Sequence, residues 1–184
     1  TLLAFMIMVK ANKIDPRVTL FLGFFLQGLA GWYMAQFSLD LTTFDVLWTS
    51  TLQGFGVGLI WVPLTVLAFY TLDSKLAAEA ASLFHLVRNF GASLFISISI
   101  VVVLRTAKVS YATLTEHTAP NAEGLEMQQS IYTFWSLEGT TALAALAGEV
   151  GRQSAMIGYI NAFYLFAWTA FAACPLLFMA RLKR

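Results

Sequence analysis

The chain has 184 residues, of which 59% are hydrophobic and only 11% are charged, and its mean hydropathy is +0.73. Soluble domains carry about 25% charged residues, so this composition excludes a cytosolic globular enzyme and a disordered chain. The net charge of +1 offers no basic surface to a nucleic acid. A single cysteine, Cys174, excludes an intrachain disulfide framework and a cysteine-based metal cluster. We therefore predict an all-α integral membrane protein.

Four apolar runs are long enough to cross a bilayer as helices, which takes about 20 residues. In chain order, transmembrane helices are predicted over residues 18–37, 46–70, 80–104 and 157–180. Among these runs, only the third contains a charged residue, Arg88. The apolar stretch 1–9 is too short to span, and we interpret it as the tail of a truncated transmembrane helix. The chain is then expected to be the C-terminal part of a larger protein.

Lysines and arginines are distributed unevenly between the two predicted sides of the membrane. Eight lie on the side of the loop 10–17, which also holds the basic tail 181–184, and three lie between residues 105 and 156. Because basic residues accumulate in cytoplasmic loops, we expect the loop 10–17 and the C-terminus to be cytoplasmic. The segment 105–156 is then a long external loop, in which we expect amphipathic helices on the membrane surface.

A polar stripe follows the third span. Its members recur three or four residues apart and so share one helix face: Ser82, His85, Asn89, Ser93 and Ser97. Arg88 lies beside this stripe, about 12 Å along the span at 1.5 Å per residue. Polar groups inside spans usually face a partner helix or a water-filled path, so we predict that the stripe lines a substrate path and that Arg88 gates its cytoplasmic mouth or contacts the substrate. The alternative is that Arg88 extends to the lipid headgroups and that the serines only hold helices together.

The second span is rich in glycine and contains a proline. Gly54 and Gly58 are four residues apart, a spacing that permits close helix approach. Pro63 removes one backbone donor and bends the helix. We predict helix-packing or hinge roles for these three residues. A span with such glycines and a proline suits a helix that moves during transport, but it is equally common in static helix bundles.

Polar and aromatic residues also mark the first and fourth spans. Gln27, in the middle of the first span, requires a hydrogen-bonding partner from another helix or from a substrate. Three residues of the fourth span share a face: Asn161, Tyr164 and Trp168. They are expected to line an aromatic pocket for hydrophobic cations or, equally, to act as interfacial and packing residues.

Acidic residues are missing from the interior of the four predicted spans. A proton-coupled transporter needs a titratable group within the membrane, and His85 is the candidate that this chain offers. A coupling carboxylate is therefore expected outside the chain. The sequence contains no HExxH, GxSxG or P-loop motif, so we predict no enzyme activity, no cofactor and no metal site.

Several stretches resemble a known transporter family. QGFGVGLIWVPLT at 53–65 and AAEAASLFHLVRNFGASLFISI at 77–98 are similar to the EmrB/QacA-type drug:proton antiporters, the fourteen-span branch of the major facilitator superfamily. RQSAMIGYINAFYLF at 152–166 is similar as well. The resemblance implies the C-terminal part of a major facilitator superfamily helical bundle. It assigns family positions to Gly54, Gly58, Pro63, Arg88 and Gly91, and it implies a helix-packing or hinge role for Gly91 as well.

The sequence departs from the family pattern in three places. The loop 10–17 lacks the usual glycine of the family's basic turn, which puts gating by this loop in doubt. Ala92 follows Gly91 where a second glycine is common, and Asn161 stands where relatives often have an acid.

The resemblance implies a multidrug efflux permease that exports small amphipathic compounds across the bacterial inner membrane in exchange for protons. Its partners would be the lipid bilayer, the N-terminal part of the same transporter and, in a host with an outer membrane, a periplasmic adaptor protein and an outer-membrane channel. Two alternatives stay open. One is a narrow-substrate exporter of a metabolite or siderophore with the same fold, and the other is a four-span scaffold that transports nothing. A membrane enzyme is a distant third.

Overall fold

The computed structural model describes residues 16–69, 73–117 and 139–179. These residues form four α-helices with a short 3-10 helix, Ser74–Leu76, before the third: α1 (Pro16–Met34), α2 (Thr43–Phe69), α3 (Ala77–His117) and α4 (Gly139–Met179). No strand occurs within the described residues, and the predicted all-α class is confirmed. The predicted truncated helix 1–9 and the basic tail 181–184 lie outside the described residues.

Three stretches of the described helices are long and apolar enough to cross a membrane: Thr43–Phe69, Ala77–Glu116 and Ala144–Leu177. They overlap the second, third and fourth predicted spans, and the chain is an all-α membrane protein. The first predicted span, 18–37, falls on α1, which has 19 residues, ends at Met34 and is not among these three. Arg17, Gln27 and three glycines lower the hydropathy of α1.

The segment 105–156, expected as a loop with surface helices, is helical wherever the structure describes it. α3 continues to residue 117, and α4 begins at residue 139. Each of these two helices has 41 residues and is about 60 Å long at 1.5 Å per residue, about twice the thickness of the hydrocarbon core. Hydropathy falls after residue 104 because the sequence becomes polar, but residues such as Arg105, Lys108 and Glu116 are good helix formers.

The chain divides into two compact units. The first unit comprises Thr1–Ile98 and Phe163–Arg184, and the second comprises Ser99–Ala162.

In the first unit, α1 packs along α2 through glycine. The buried residues of α1 recur every three or four positions and include Leu20, Gly23, Gln27, Gly31 and Met34. A Cβ atom built on Gly56 of α2 would lie 3.0 Å from the carbonyl oxygen of Gly23. The absence of side chains at these two positions therefore lets the two backbones approach closely.

The C-terminal part of α4 also packs on α1 in the first unit. Gly28 lies against the ring of Phe171, and a Cβ on Gly31 would lie 3.1 Å from the backbone nitrogen of Ala167. Next to these glycines, the rings of Trp32 and Tyr164 meet edge to face with their centroids 5.7 Å apart. Small residues and aromatic rings thus alternate along this contact.

In the second unit, α4 packs on α3 through a row of buried residues. Val150, Ser154 and Gly158 are buried at four-residue spacing. A Cβ on Gly158 would lie 2.7 Å from the carbonyl oxygen of Val103 on α3. The Ser154 hydroxyl donates to the carbonyl oxygen of Val150 at 2.6 Å, so this buried polar group is satisfied within its own helix.

Candidate functional site

The polar stripe of α3 is exposed along its whole length in the structure, as is Arg88: Ser82, His85, Asn89, Ser93 and Ser97. Two of the serines are bonded within the helix, because the Ser82 hydroxyl donates to the carbonyl oxygen of Ala78 at 3.0 Å and the Ser97 hydroxyl to that of Ser93 at 2.9 Å. Such bonds satisfy the hydroxyl group within its own helix, which lowers the free-energy cost of placing a serine in a membrane. The stripe therefore presents a mildly polar face on the apolar part of α3.

Arg88 contacts α2 through an aromatic ring. Its guanidinium carbon lies 4.8 Å from the centroid of the Trp61 ring, and its Nη2 donates to Oδ1 of Asn89 at 3.4 Å. Among the described residues, no carboxylate forms an ion pair with Arg88. The cation is therefore held by a ring face, a contact worth about 0.5–1 kcal/mol when exposed. Sequence reasoning missed Trp61, since no periodicity connects it to Arg88.

His85 contacts an aromatic ring of its own helix. Its ring meets the ring of Phe84 edge to face, with centroids 5.7 Å apart, and the side chain remains exposed. Gly91, three residues after Arg88 on the same helix, is also open, because a Cβ built there meets no described atom within 4 Å.

A cleft of about 420 Å³ lies in the first unit between α1, α2, α3 and the C-terminal part of α4. Most of its lining is apolar or aromatic: Phe24, Val57, Ile60, Phe95, Phe166 and Ala170. The polar lining residues are Gln27, Gln53 and Thr169. The Thr169 hydroxyl already donates to the carbonyl oxygen of Phe166 at 2.9 Å, so the two glutamines carry the polar chemistry of the cleft.

Gln27 is the most informative residue of the cleft. Its side chain is 5% exposed, and its Nε2 donates to the carbonyl oxygen of Gln53 at 2.8 Å. Its Oε1 is buried without a hydrogen-bond partner among the described residues. A buried acceptor without a partner costs about 1–3 kcal/mol. The partner expected from the sequence is thus supplied for the nitrogen, while the oxygen still needs a donor.

The glycines and the proline that were predicted to matter in α2 differ in burial. Gly58 and Pro63 are buried, whereas Gly54 is half-buried, and α2 continues through Pro63 to Phe69. The backbone contact with α1 falls on Gly56 rather than on Gly54. The three glycines alternate with larger residues, and the sequence does not indicate which of them faces α1.

The residues predicted on the fourth span are placed in different surroundings. Tyr164 is in contact with Trp32, which makes it part of the α1–α4 packing. Trp168 is 63% exposed. Asn161 is exposed and belongs to the second unit.

Comparison with known proteins finds several relatives of the chain. No protein-family model matches the chain. The multidrug export protein EmrB of Haemophilus influenzae is 28% identical over 159 residues, which are 84% of this chain and 31% of that protein. The EmrB protein of Escherichia coli strain K12 is also 28% identical, over 160 residues that are 80% of this chain and 31% of that protein. The chain is related to the EmrB-type transporters.

A further EmrB-type relative carries a different name. The fatty acid resistance protein FarB of Neisseria gonorrhoeae is 21% identical over 170 residues, which are 92% of this chain and 34% of that protein. The chain therefore spans about a third of the length of these EmrB-type relatives. The relatives are named for export or resistance and not for catalysis. No solved structure matches the chain.

Proposed function

We propose that this chain forms the C-terminal portion of a transporter that exports small amphipathic compounds across the bacterial inner membrane in exchange for protons. The Gln27 cleft carries this proposal. It combines an apolar, aromatic lining with the amide side chains of Gln27 and Gln53. A compound with an apolar body and a small polar group complements that combination.

The names of the EmrB-type relatives support export as the activity. One relative is named for multidrug export and another for fatty acid resistance, and drugs and fatty acids share an amphipathic character. The exposed polar face of α3, with Arg88 over Trp61, would form a second part of the substrate path. Because the predicted spans contain no acidic residue, the carboxylate that carries the proton would belong to other helices of the transporter.

The test of the proposal is the accumulation of a fluorescent amphipathic dye in cells that express the full-length transporter. We expect lower accumulation than in cells without the gene, and we expect a protonophore to abolish the difference. Gln27→Leu should raise accumulation toward that of cells without the gene. The matched control is Thr51→Ala, since the exposed Thr51 hydroxyl bonds only its own helix at the carbonyl oxygen of Leu47.

Two results would contradict the multidrug proposal. If a panel of dyes shows no difference while one metabolite or siderophore is exported, the protein is a narrow-substrate exporter. If nothing is exported and residues 10–184 form a stable bundle alone, the protein is a membrane scaffold.

The helical segments 105–117 and 139–156 are the part of the chain that we propose to face a periplasmic adaptor. α3 and α4 exceed the hydrocarbon thickness by about 30 Å, and this excess would project on the external side. Deletion of residues 110–150 should reduce export while membrane insertion persists. A photo-crosslinker at Lys108, an exposed residue, should capture the adaptor, and an adaptor that still crosslinks normally to the transporter after the deletion would refute this role.

A further inference from the structure

A second pocket lies where α1 ends and α2 begins, within the first unit. Its volume is about 260 Å³. Three aromatic residues line it, Tyr33, Phe37 and Trp48, together with two acidic residues, Asp40 and Asp45. The proposed transport path uses none of these five residues.

The two acidic residues make this pocket negative, and no basic side chain among the described residues forms an ion pair with either of them. The sequence contains no lysine, arginine or histidine between residues 18 and 74. Asp40 is exposed, and its carboxylate has neither an ion pair nor a hydrogen-bond donor among the described residues. Its negative charge is therefore available to a cation that enters the pocket.

Asp45 is fixed in place by the start of α2. Its Oδ2 accepts hydrogen bonds from the Thr42 hydroxyl at 2.6 Å and from the Thr42 backbone nitrogen at 3.1 Å. In return, the backbone nitrogen of Asp45 donates to the Thr42 hydroxyl oxygen at 3.3 Å. This reciprocal arrangement is a capping box. It holds one carboxylate in a defined orientation, so the second acidic residue of the pocket is preorganised.

Aromatic rings beside carboxylates favour one class of ligand. Ring faces attract ammonium groups, and the attraction strengthens when the cation is partly desolvated. Enrichment of aromatic residues at membrane interfaces accounts for Trp48 and Tyr33, and the capping box accounts for Asp45, but neither accounts for the carboxylate of Asp40 beside them. The volume lies below the usual range for drug-sized ligands, about 300–1,000 Å³, and suits a small head group.

We propose that this pocket binds an organic ammonium group of the size of trimethylammonium, supplied either by a free cation or by the head group of a phospholipid. The rings of Trp48, Tyr33 and Phe37 contact its methyl or methylene groups. Asp40 and Asp45 balance its charge. The site is separate from the Gln27 cleft, and ammonium binding there does not depend on whether the transporter exports its substrates.

Binding is measured on the full-length transporter in nanodiscs of phosphatidylglycerol, a lipid without an ammonium group, by saturation-transfer NMR on the methyl protons of choline. The neutral isostere 3,3-dimethyl-1-butanol has the same shape without the charge. We expect choline to bind about tenfold more tightly than the isostere. Asp40→Asn should weaken choline binding about fivefold, whereas Glu79→Gln, which removes an exposed carboxylate outside the pocket, should leave it unchanged.

Equal affinity for choline and the isostere would overturn the proposal, and so would unchanged choline affinity in Asp40→Asn. Because Asp40 is exposed, we expect its substitution to leave the fold intact, so that a loss of binding reports on the pocket and not on unfolding. Repeating the titration in phosphatidylethanolamine nanodiscs distinguishes the two sources. Weaker apparent choline binding there assigns the pocket to the lipid head group, and unchanged binding assigns it to a free cation. Either result supports an ammonium site.

Discussion

A Cβ atom on Gly56 would lie 3.0 Å from the carbonyl oxygen of Gly23, so α1 and α2 meet backbone to backbone at this point. The same atom would lie 3.3 Å from the side-chain nitrogen of Gln27, which donates to the carbonyl oxygen of Gln53. The glycine contact therefore also sets the position of the amide that marks the cleft.

Gly56→Ala should destabilise the transporter by about 1–3 kcal/mol, because the added methyl group meets backbone that cannot move without shifting a helix. The melting temperature of the purified full-length protein in detergent measures this. Gly148→Ala is the matched control, since a Cβ there meets no described atom within 4 Å and alanine is the better helix former. An unchanged melting temperature in Gly56→Ala would show that the two helices are not packed as described.

Gln27→Leu should reduce export strongly while changing stability by less than about 1 kcal/mol. The variant loses the bond to Gln53 but also removes a buried acceptor without a described partner, and these two effects oppose each other. The measurements are dye export and melting temperature on the same variant. A large loss of stability together with normal export would assign Gln27 to packing alone.

Arg88→Ala should impair export more than Arg88→Lys, because lysine keeps the charge and the attraction to the Trp61 ring. Trp61→Leu should resemble Arg88→Ala, and Trp61→Phe, which keeps a ring face, should have a smaller effect. Initial rates of dye export provide the measurement. Full activity in both Arg88 variants would mean that this side chain only extends to the lipid headgroups.

Thr42→Ala should cost about 1 kcal/mol of stability, since it removes the hydroxyl of the capping box at the start of α2. Thermal unfolding of the full-length protein measures the effect. Thr51→Ala serves as the control because its exposed hydroxyl bonds a carbonyl that already belongs to the helix. Equal melting temperatures for the two variants would contradict the capping role.

The helices of this protein follow from its hydropathy, but the helix ends do not. Hydropathy indicates which residues suit a membrane, and it falls at Arg105, where α3 continues without interruption to His117. Helix formation depends instead on propensity, which Arg105, Lys108 and Glu116 retain. A polar helix that extends beyond the membrane and a polar loop have a similar composition, so hydropathy alone does not distinguish them.

Only part of the candidate site can be predicted from the sequence. Local spacing identified Gln27 and Arg88 as costly polar residues inside apolar spans. Their partners, Gln53 and Trp61, lie on another helix, and the rotation of α2 relative to α1 and α3 decides which residues meet. The same rotation places Gly56 rather than Gly54 against α1. The spacing of residues along a single sequence does not indicate how one helix is rotated relative to another.

The glycine contact between α1 and α2 has a consequence for how these helices would move during the proposed transport. Two backbones in direct contact leave no side chains to rearrange at that point, so we expect α1 and α2 to move together. α2 and α3 instead touch through side chains, in the Arg88–Trp61 contact and in the Phe69–Phe84 ring pair with centroids 5.7 Å apart. Side chains change rotamer at little cost, and shear between packed helices proceeds through such changes. Sliding within the first unit is therefore expected between α2 and α3.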